Sequence, residues 1–368
     1  MNSGSKNCSK SRISSSVTID SLRDEPGDLR WLVTGCAGFI GANLVEFLLS
    51  RDQSVSGIDN LTSGSRRNLE AVRKSVSDVQ WSRFEFHQGD IRSVEDCEKA
   101  CQGADYVLHQ AAISSPVEAE ASPTKAIDTN VRGFANVIET AAAAGARRIV
   151  YASSCAVYGL AESDVQAESD VADPNTVYAI TKHADELLAK RYAERFGIAI
   201  AGLRYFNCYG KWQAAQSGYS AFIPKCISAI LNDEPLVING DGETTRDFVH
   251  VDDVVRANVL AALAPGISEA PVYNVGTGRK TTLNELFDQV RMSCYPIDPK
   301  VERRPDYGPF RDNDIRHSRA ETTKARVQLG FEARVALSEG VRRAAEEKAG
   351  ERLGDRKPAD DRAREIRT

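Results

Sequence analysis

The stretch TGCAGFIG, residues 34–41, decides the fold of this chain. An apolar strand-like run, residues 31–34, leads into it, and an amphipathic helical pattern, residues 39–50, follows it at once. It contains three glycines spaced three residues apart: Gly35, Gly38 and Gly41. Glycine lets the backbone turn sharply and approach a pyrophosphate closely, and the helix N-terminus directs N–H groups at that pyrophosphate. The pattern therefore predicts a dinucleotide-binding strand–loop–helix unit.

A second strand-like run, residues 55–59, completes the unit and ends in an acid. Asp59 follows Gly41 by 18 residues, where a carboxylate can accept hydrogen bonds from the ribose of adenosine. The 2'-phosphate of NADP would be repelled by the negative charge of the Asp59 carboxylate. The spacing therefore favours NAD over NADP as the cofactor.

Strand-like and helical patterns go on alternating as far as residue 206. The further strand-like runs are 84–88, 106–109, 149–153 and 198–203, and the clearest helices are 124–144 and 178–195. This alternation predicts an α/β fold with a Rossmann-type, doubly wound parallel sheet. We expect an NAD-binding domain over 29–206 and a smaller, mixed substrate-binding portion over 207–349, interleaved with it. The polar segment 1–28 and the charged tail 350–368 are predicted to be disordered.

Composition narrows the class of protein. A chain of 368 residues has room for a cofactor and a second ligand, and its net charge of -5 argues against nucleic acid as a partner. Its apolar runs are too short to span a membrane, and no secretion signal is visible, which predicts a cytoplasmic protein. The eight cysteines include no Cys-x-x-Cys pair, so we expect reduced thiols and no metal site.

Three residues are candidates for catalysis. Tyr178 and Lys182 are four residues apart at the start of a predicted helix, and Ser154 ends a predicted strand. A lysine ammonium beside a tyrosine favours the phenolate, which can take a proton from a hydroxyl group. The serine hydroxyl can hold the same substrate oxygen for hydride transfer.

Several short segments then match one family in order and spacing. They are GDIR at 89–92, HQAA at 109–112, DTNVRG around Asn130, SSCAVYG at 153–159, YAITK at 178–182 and RYFNCYG at 204–210. Over about residues 30–330 the chain thereby resembles the extended short-chain dehydrogenase/reductase superfamily and, within it, the NAD-dependent epimerase/dehydratase family. Together, the glycine loop and the resemblance imply these cofactor contacts: Gly35, Gly38, Phe39, Ile40, Gly41, Asp59, Asn60, Asp90, Ile91, Gln110, Ala111, Ala112, Asn130, Tyr178, Lys182 and Tyr205.

The residues after Ser154 bear on the type of reaction. Members of this superfamily that dehydrate or decarboxylate nucleotide sugars have Thr-Asp-Glu or Thr-Ser-Glu here, whereas this chain has Ser154, Cys155 and Ala156. Without an acid at these positions, oxidation followed by re-reduction is expected, which is the chemistry of a 4-epimerase. Tyr178 would remove the 4-hydroxyl proton while C4 gives hydride to NAD. The 4-keto sugar would then turn and take the hydride back on its other face.

The C-terminal part offers candidates for holding a sugar nucleotide. Arg246 and Arg311 can pair with diphosphate oxygens in fork geometry. The resemblance implies that Asn207 contacts the diphosphate, Phe222 the uracil and Asp314 the uridine ribose. It also makes Ser318 a gatekeeper whose small size admits an N-acetyl group. The runs QWSRFEFHQGDIRS and INGDGETTRDF look similar to UDP-N-acetylglucosamine 4-epimerases that serve surface polysaccharides.

Alternatives stay open at this point. Glu118, where many relatives have arginine, and Asn313, where they have glycine, leave N-acetylated, plain and uronic UDP-hexoses as possible substrates. A reductase that uses Cys155 and a non-catalytic NAD-binding protein are the other candidates. By resemblance we expect a homodimer, in which the helices over 124–144 and 178–195 pair into a four-helix interface.

Overall fold

A computed structural model of the chain describes residues 19, 22, 29–160, 163–170, 173–214, 222–267, 270–297, 304–310 and 315–355. Its strands are β1 (Arg30–Thr34), β2 (Ser54–Asp59), β3 (Phe84–Gln88), β4 (Tyr106–His109), β5 (Arg148–Ser154), β6 (Val165–Gln166), β7 (Ala199–Tyr205), β8 (Asn207–Tyr209), β9 (Val237–Asn239), β10 (Thr245–Arg246), β11 (Phe248–His250), β12 (Val272–Val275), β13 (Thr281–Thr282), β14 (Asp306–Gly308) and β15 (Arg319–Ala320). Its α-helices are α1 (Phe39–Leu49), α2 (Arg66–Ser75), α3 (Asp78–Trp81), α4 (Val94–Cys101), α5 (Pro116–Ala121), α6 (Pro123–Ile127), α7 (Gly133–Ala143), α8 (Val177–Phe196), α9 (Phe222–Asn232), α10 (Val251–Leu263), α11 (Leu283–Cys294), α12 (Thr323–Leu329) and α13 (Leu337–Asp355).

Seven strands form one parallel sheet in the order β12-β7-β5-β4-β1-β2-β3. The sheet grows in one direction from β1 through β2 and β3, and in the other from β4 onward. The crevice at the carboxyl ends of β1 and β4 is therefore the switch point at which doubly wound folds bind their ligands. The predicted α/β fold with a parallel, Rossmann-type sheet is confirmed.

Apolar side chains of the central strands build the core on both faces of the sheet. Trp31, Leu32 and Val33 of β1 are all buried. The Trp31 ring stacks on that of Tyr106, with 4.7 Å between the ring centroids. Full burial of a side chain of this kind contributes about 1.5–3 kcal/mol. The strand that leads into the glycine loop is thereby held in a fixed position.

The predicted helix over 124–144 is wrong in one respect, because it is not continuous. The chain forms α6, then a π-helical turn, Asp128–Arg132, and then α7. The wider turn contains Asn130, whose side chain bonds outside its own helix. The other long helix, predicted over 178–195, is α8. It begins after Thr176, whose side chain accepts a hydrogen bond from the Ala179 amide, and ends at Gly197 in a left-handed conformation.

Residues beyond 206 contribute to two separate regions. Strand β12 pairs with β7 and forms an edge of the large sheet, and α10 packs against α1. Helices α9, α11 and α13 form a second apolar cluster around Ile227, Leu286 and Val341. The chain thus passes from the smaller portion (α9) back to the large sheet (α10 and β12) and then again to the smaller portion (α11 and α13).

The structure departs from the sequence prediction at both tails. Leu22, within the segment 1–28 predicted to be disordered, is buried in the same cluster as Trp31, and its carbonyl accepts a hydrogen bond from Gln53 at 2.9 Å. Helix α13 continues to Asp355, so the predicted boundary at residue 350 falls inside a helix. The remaining parts of both tails lie outside the described residues.

None of the described helices combines the length and the apolar character needed to cross a lipid bilayer. The cysteines that the structure describes are free thiols. Within the same ranges, no three His, Cys, Asp or Glu side chains converge as a metal site would require.

Candidate active site

The glycine loop after β1 is built for close backbone contact. A β-carbon on Gly41 would stand 2.0 Å from the carbonyl oxygen of Gly35, and one on Gly35 would stand 2.9 Å from the Ala111 amide nitrogen. Gly35 also has a φ of 68°, which side chains rarely allow. Only glycine at these positions lets the loop, the start of α1 and the chain after β4 approach so closely.

A cleft of about 490 Å³ opens beside this loop. Six of the predicted cofactor residues line it: Gly35, Asp59, Asn60, Ile91, Ala111 and Ala112. The close glycine backbone, the acid at the end of β2 and the volume of the cleft fit a dinucleotide. The other glycine-loop residues, Gly38, Phe39, Ile40 and Gly41, form the turn into α1 and its first residues.

Asp59 fixes the glycine loop and the residues after β2 through hydrogen bonds to backbone amides. Its Oδ2 accepts a hydrogen bond from the Ala37 amide at 3.0 Å, and its Oδ1 accepts one from the Leu61 amide at 2.7 Å. Burial raises the pKa of Asp59, and the two backbone donors act in the opposite direction. Each oxygen keeps a second lone pair, so the contact with a ribose remains a prediction.

Asp90 is fixed by Arg92 and Asn60, two residues that line the cleft. It accepts two hydrogen bonds from the Arg92 guanidinium, from Nε at 2.9 Å and from Nη2 at 2.7 Å. Asn60 donates to the same carboxylate at 2.9 Å. Bonding to Arg92 holds the pKa of Asp90 well below its ordinary value, so this group stays ionised.

Gln110 and Tyr205 belong to a closed ring of hydrogen bonds with Asn258 of α10. The Tyr205 hydroxyl donates to Gln110 Oε1 at 3.0 Å, Gln110 donates to Asn258 Oδ1 at 3.0 Å, and Asn258 donates to the Tyr205 oxygen at 2.8 Å. Asn258 is fully buried. Sequence reasoning missed Asn258, because it lies 148 residues after Gln110 in an ordinary helical pattern.

Ser154, Tyr178 and Lys182 are brought together as predicted. Ser154 is the last residue of β5, and Tyr178 and Lys182 lie one turn apart at the start of α8. The Val177 amide donates to Glu120 Oε1 at 2.7 Å, which fixes the start of α8 against α5. The Ser154 hydroxyl is near enough to that of Tyr178 to lower the pKa of the tyrosine.

Electrostatics at Tyr178 act in two directions. Burial raises the pKa of its hydroxyl, whereas the positive charge of Lys182 and the nearby Ser154 hydroxyl lower it. The ammonium of Lys182 is itself buried and lies 3.2 Å from Asp185 Oδ2. This arrangement can supply a phenolate beside a bound hydroxyl group.

Asn130 acts on its protein neighbours. Its Oδ1 accepts from the Ile113 amide at 2.8 Å, and its Nδ2 donates to the Ile113 carbonyl at 3.1 Å and to Thr181 Oγ1 at 3.0 Å. The side chain thereby joins the segment after β4 to the residue that precedes Lys182. Its predicted contact with the cofactor remains a prediction.

Strand β15 packs against the turn that follows Ser154. Ala320 of β15 forms one apolar cluster with Val157, Tyr158, Phe206 and Cys155. Ser318 is buried just before β15 and donates to Gln166 Oε1 at 3.1 Å. Arg246 acts electrostatically on the Cys155 thiol. Ser318 is thus two residues from Ala320, which packs against this turn, and Arg246 is within electrostatic reach of Cys155.

The other predicted substrate residues are further along the chain. Asn207 begins β8, and its side-chain oxygen is buried without a hydrogen-bond partner among the described residues. Phe222 is the first described residue of α9. Arg311 and Asp314 lie outside the described residues.

The cleft also contains polar residues that the motifs did not assign. Ser114, Ser115, Glu118 and Lys125 line it beyond Ala112. Lys125 Nζ lies 2.9 Å from Glu118 Oε1, so the two charges offset each other at the mouth of the cleft. The sequence shows that these residues follow HQAA, but the pairing of Lys125 with Glu118 depends on the tertiary fold.

Comparison with known proteins agrees with this geometry. Residues 31–276 match the sequence profile of the NAD dependent epimerase/dehydratase family. A UDP-glucose 4-epimerase of Mycolicibacterium smegmatis is 33% identical over 320 residues, which are 86% of this chain and 98% of that protein.

Two solved structures are similar over nearly their whole length. One is a UDP-N-acetylglucosamine 4-epimerase of Methanobrevibacter ruminantium, in complex with UDP-N-acetylmuramic acid, with a TM-score of 0.80, 31% identity and coverage of 89% of this chain and 100% of that one. The other is a UDP-glucose 4-epimerase of Thermus thermophilus in complex with NAD, with a TM-score of 0.75, 29% identity and coverage of 88% and 99%. The chain therefore belongs to the NAD dependent epimerase/dehydratase family, within it to the UDP-sugar 4-epimerases, and is an NAD-dependent isomerase.

Proposed function

We propose that this enzyme interconverts UDP-N-acetylglucosamine and UDP-N-acetylgalactosamine by inverting C4 of the hexose. The observation that carries the proposal is the convergence of Ser154, at the end of β5, with Tyr178 and Lys182, one turn apart at the start of α8, a helix that packs against β5 and the turn after it. UDP-glucose and UDP-galactose are the nearest alternative pair, because the same residues would perform the same reaction on them.

The proton moves through one atom of the chain, the hydroxyl oxygen of Tyr178. Ser154 holds the 4-hydroxyl of the sugar, and the Tyr178 phenolate takes its proton. NAD held at the glycine loop would supply the chemistry for removing a hydride from C4 and for returning it. The 4-keto sugar turns about its phosphate link between these two events, and Tyr178 gives the proton back to the same oxygen.

The neighbours of Ser154 favour epimerisation over dehydration. Burial raises the pKa of the Cys155 thiol to about 11, so this group stays protonated near neutral pH. Ala156 has no ionisable group. Neither residue can assist the loss of a hydroxyl at C6, and oxidation with re-reduction at C4 remains.

The small side chain of Ser318 supports an N-acetylated sugar. It sits beside β15 and close to the turn after Ser154, and its hydroxyl is held by Gln166. A large aromatic side chain at this position would fill space near the sugar. As further parts of the proposal, Arg246 and Arg311 hold the diphosphate with Asn207, Phe222 contacts the uracil, and Asp314 contacts the ribose.

The decisive experiment incubates purified protein, without added NAD, separately with UDP-N-acetylglucosamine, UDP-glucose and UDP-glucuronate. The sugars are then analysed for inversion at C4. We expect the N-acetylated substrate to give the highest kcat/KM. Exclusive conversion of UDP-glucuronate would transfer the assignment to a uronate epimerase, and no inversion of any substrate would refute the proposed activity.

We also propose that the enzyme is a homodimer that acts in the cytoplasm on precursors of surface polysaccharides. The side chains of Ile180 and Leu187 on α8 are 54% and 61% exposed, and that of Ile127 on α6 is 53% exposed. These apolar groups lie on the two helices that the resemblance assigns to the interface. A second copy of the chain would cover them.

A further inference from the structure

A buried acid, Asp185, contacts Lys182 from one turn further along α8. We propose that Asp185 is a positioning residue for Lys182: its carboxylate holds the lysine ammonium, and its negative charge limits how readily the Tyr178 hydroxyl gives up its proton. This inference deepens the proposed chemistry of Tyr178 and rests on it. Neither the glycine loop nor the Ser-Tyr-Lys pattern assigns any role to Asp185.

The geometry of the pair is close and solvent-excluded. Lys182 Nζ lies 3.2 Å from Asp185 Oδ2, and the two side chains are 3% and 0% exposed. The residues are three apart on α8, so they lie on the same face of the helix. A charge pair in this setting is screened very little, and each charge strongly affects its neighbours.

The ionisable groups that face this pair from the sheet are effectively neutral or paired elsewhere. Burial lowers the pKa of His109, on β4, to about 3, so its ring is uncharged. Burial raises the pKa of Tyr151, on β5, which keeps its hydroxyl protonated. Arg204, on β7, is held by both oxygens of Glu186 at 2.8 and 2.7 Å. The charge of Glu186 is therefore matched by that of Arg204.

The helices and the turn around α8 add no further charge inside this region among the described residues. Cys155 of the turn after β5 keeps its proton, since burial raises its pKa to about 11. Asn130 donates one neutral hydrogen bond to Thr181. Glu120 of α5 and Glu139 of α7 are exposed at the two ends of α8. Asp185 is thus the carboxylate that acts on Lys182 from within.

Asp185 acts against the role of the lysine in one respect. Lys182 favours the Tyr178 phenolate by its positive charge, and a carboxylate 3.2 Å from the ammonium cancels part of that field. Asp185 also acts directly on Tyr178 in the direction that raises its pKa. Burial raises the pKa of Asp185 itself to about 7, against the lowering effect of Lys182. The strength of the base therefore depends on whether Asp185 is ionised.

The test uses Asp185→Asn in the holoenzyme, a substitution that removes the negative charge of this side chain and keeps its shape. The tyrosinate absorbance of this variant is titrated with pH, and the titration of Asp185→Asn combined with Tyr178→Phe is subtracted. The difference isolates Tyr178 and is compared with the same difference in the parent protein. We expect the Tyr178 midpoint to move to lower pH by on the order of one unit.

The control is Glu194→Gln, which makes the same charge change on an exposed part of α8. It should leave the Tyr178 midpoint unchanged. An unchanged midpoint in Asp185→Asn, or an equal shift in Glu194→Gln, would overturn the inference. If Asp185→Asn does not fold, Asp185→Ser removes the same charge and is judged by the same readout.

Kinetics separate this inference from the proposed function. On the UDP-sugar that the parent enzyme converts, Asp185→Asn should shift the acid limb of the kcat profile to lower pH and leave KM within about twofold. The absorbance titration needs no turnover. A shifted midpoint in a protein that converts none of the three UDP-sugars would support Asp185 while refuting the 4-epimerase.

Discussion

The α-carbon of Gly41 faces the carbonyl oxygen of Gly35 so closely that a β-carbon would stand 2.0 Å from it. We therefore predict that Gly41→Ala pushes α1 away from the loop after β1. The change should lower the free energy of unfolding by about 1–3 kcal/mol and abolish retention of NAD. Urea unfolding and the NAD content of the purified protein measure the two effects.

Gly350→Ala is the matched control for this prediction. Gly350 is exposed in α13, and nothing lies within 4 Å of the position of its missing β-carbon. The same substitution there should be neutral or slightly stabilising, because alanine favours a helix by up to about 1 kcal/mol. Full retention of NAD by Gly41→Ala would show that the loop tolerates the displacement.

We predict that Tyr178→Phe abolishes turnover and leaves NAD in place. The substitution removes only the hydroxyl oxygen, on which Ser154 and Lys182 act, and keeps the ring. The kcat should fall by at least about a hundredfold, which is the scale of general acid–base catalysis. NAD released from the denatured protein provides the second measurement. Its loss would mean that Tyr178 has a structural role in the cleft.

Acid sensitivity is predicted at His109. Burial lowers its pKa in the folded protein from 6.5 to about 3, so the unfolded chain binds a proton more readily. Above pH 6.5 the ring is neutral in both states, and His109 does not lower the unfolding free energy. As the pH falls from 6.5 towards 3, only the unfolded chain takes up the proton, and the unfolding free energy decreases. Between pH 7 and pH 5 the unfolding free energy should fall by about 2 kcal/mol from this group alone.

His109→Gln should remove that part of the pH dependence, since an amide does not titrate. The quantity to compare is the difference in unfolding free energy between pH 7 and pH 5, obtained by urea unfolding. His87, on the edge strand β3, keeps contact with solvent, so His87→Gln is the control and should retain the parental loss. Equal losses in the parent and in His109→Gln would contradict the prediction.

The predicted dimer is tested at Leu187. Leu187→Glu places a charge in the centre of the exposed apolar face of α8 and should convert the dimer into a monomer of 40.2 kDa. Light scattering at micromolar concentration measures the mass. Val327 is 74% exposed on α12, a helix that packs against β12 and α10, so Val327→Glu should stay dimeric. A monomeric parent protein would refute the dimer.

Local patterns predicted the elements that position the site. Gly35, Asp59 and Ser154 lie at the ends of buried strands, and apolar runs mark such strands within one or two residues. The order of the motifs then placed Tyr178 and Lys182 beside Ser154. These features depend on residues that are close along the chain, or on spacings that the fold class fixes.

Other features depend on contacts that no local pattern contains. Asn258 completes the ring with Gln110 and Tyr205 from a distant helix. The π-helical turn contains Asn130, which bonds Ile113 and Thr181, and the sequence of this turn reads as ordinary helix. The sequence shows that Asp185 follows Lys182 by three residues, but it does not show that the Asp185 side chain is completely buried.

The pairing of β12 with β7 limits how this enzyme can be divided. A fragment that ended at residue 206 would expose the hydrogen-bonding edge of β7 over residues 202–205, all four of which are buried. Such an open edge promotes association between copies. Sugar specificity is therefore best redesigned by exchanging segments between the fixed strands β7 and β12, rather than by joining a foreign substrate domain to an isolated cofactor domain.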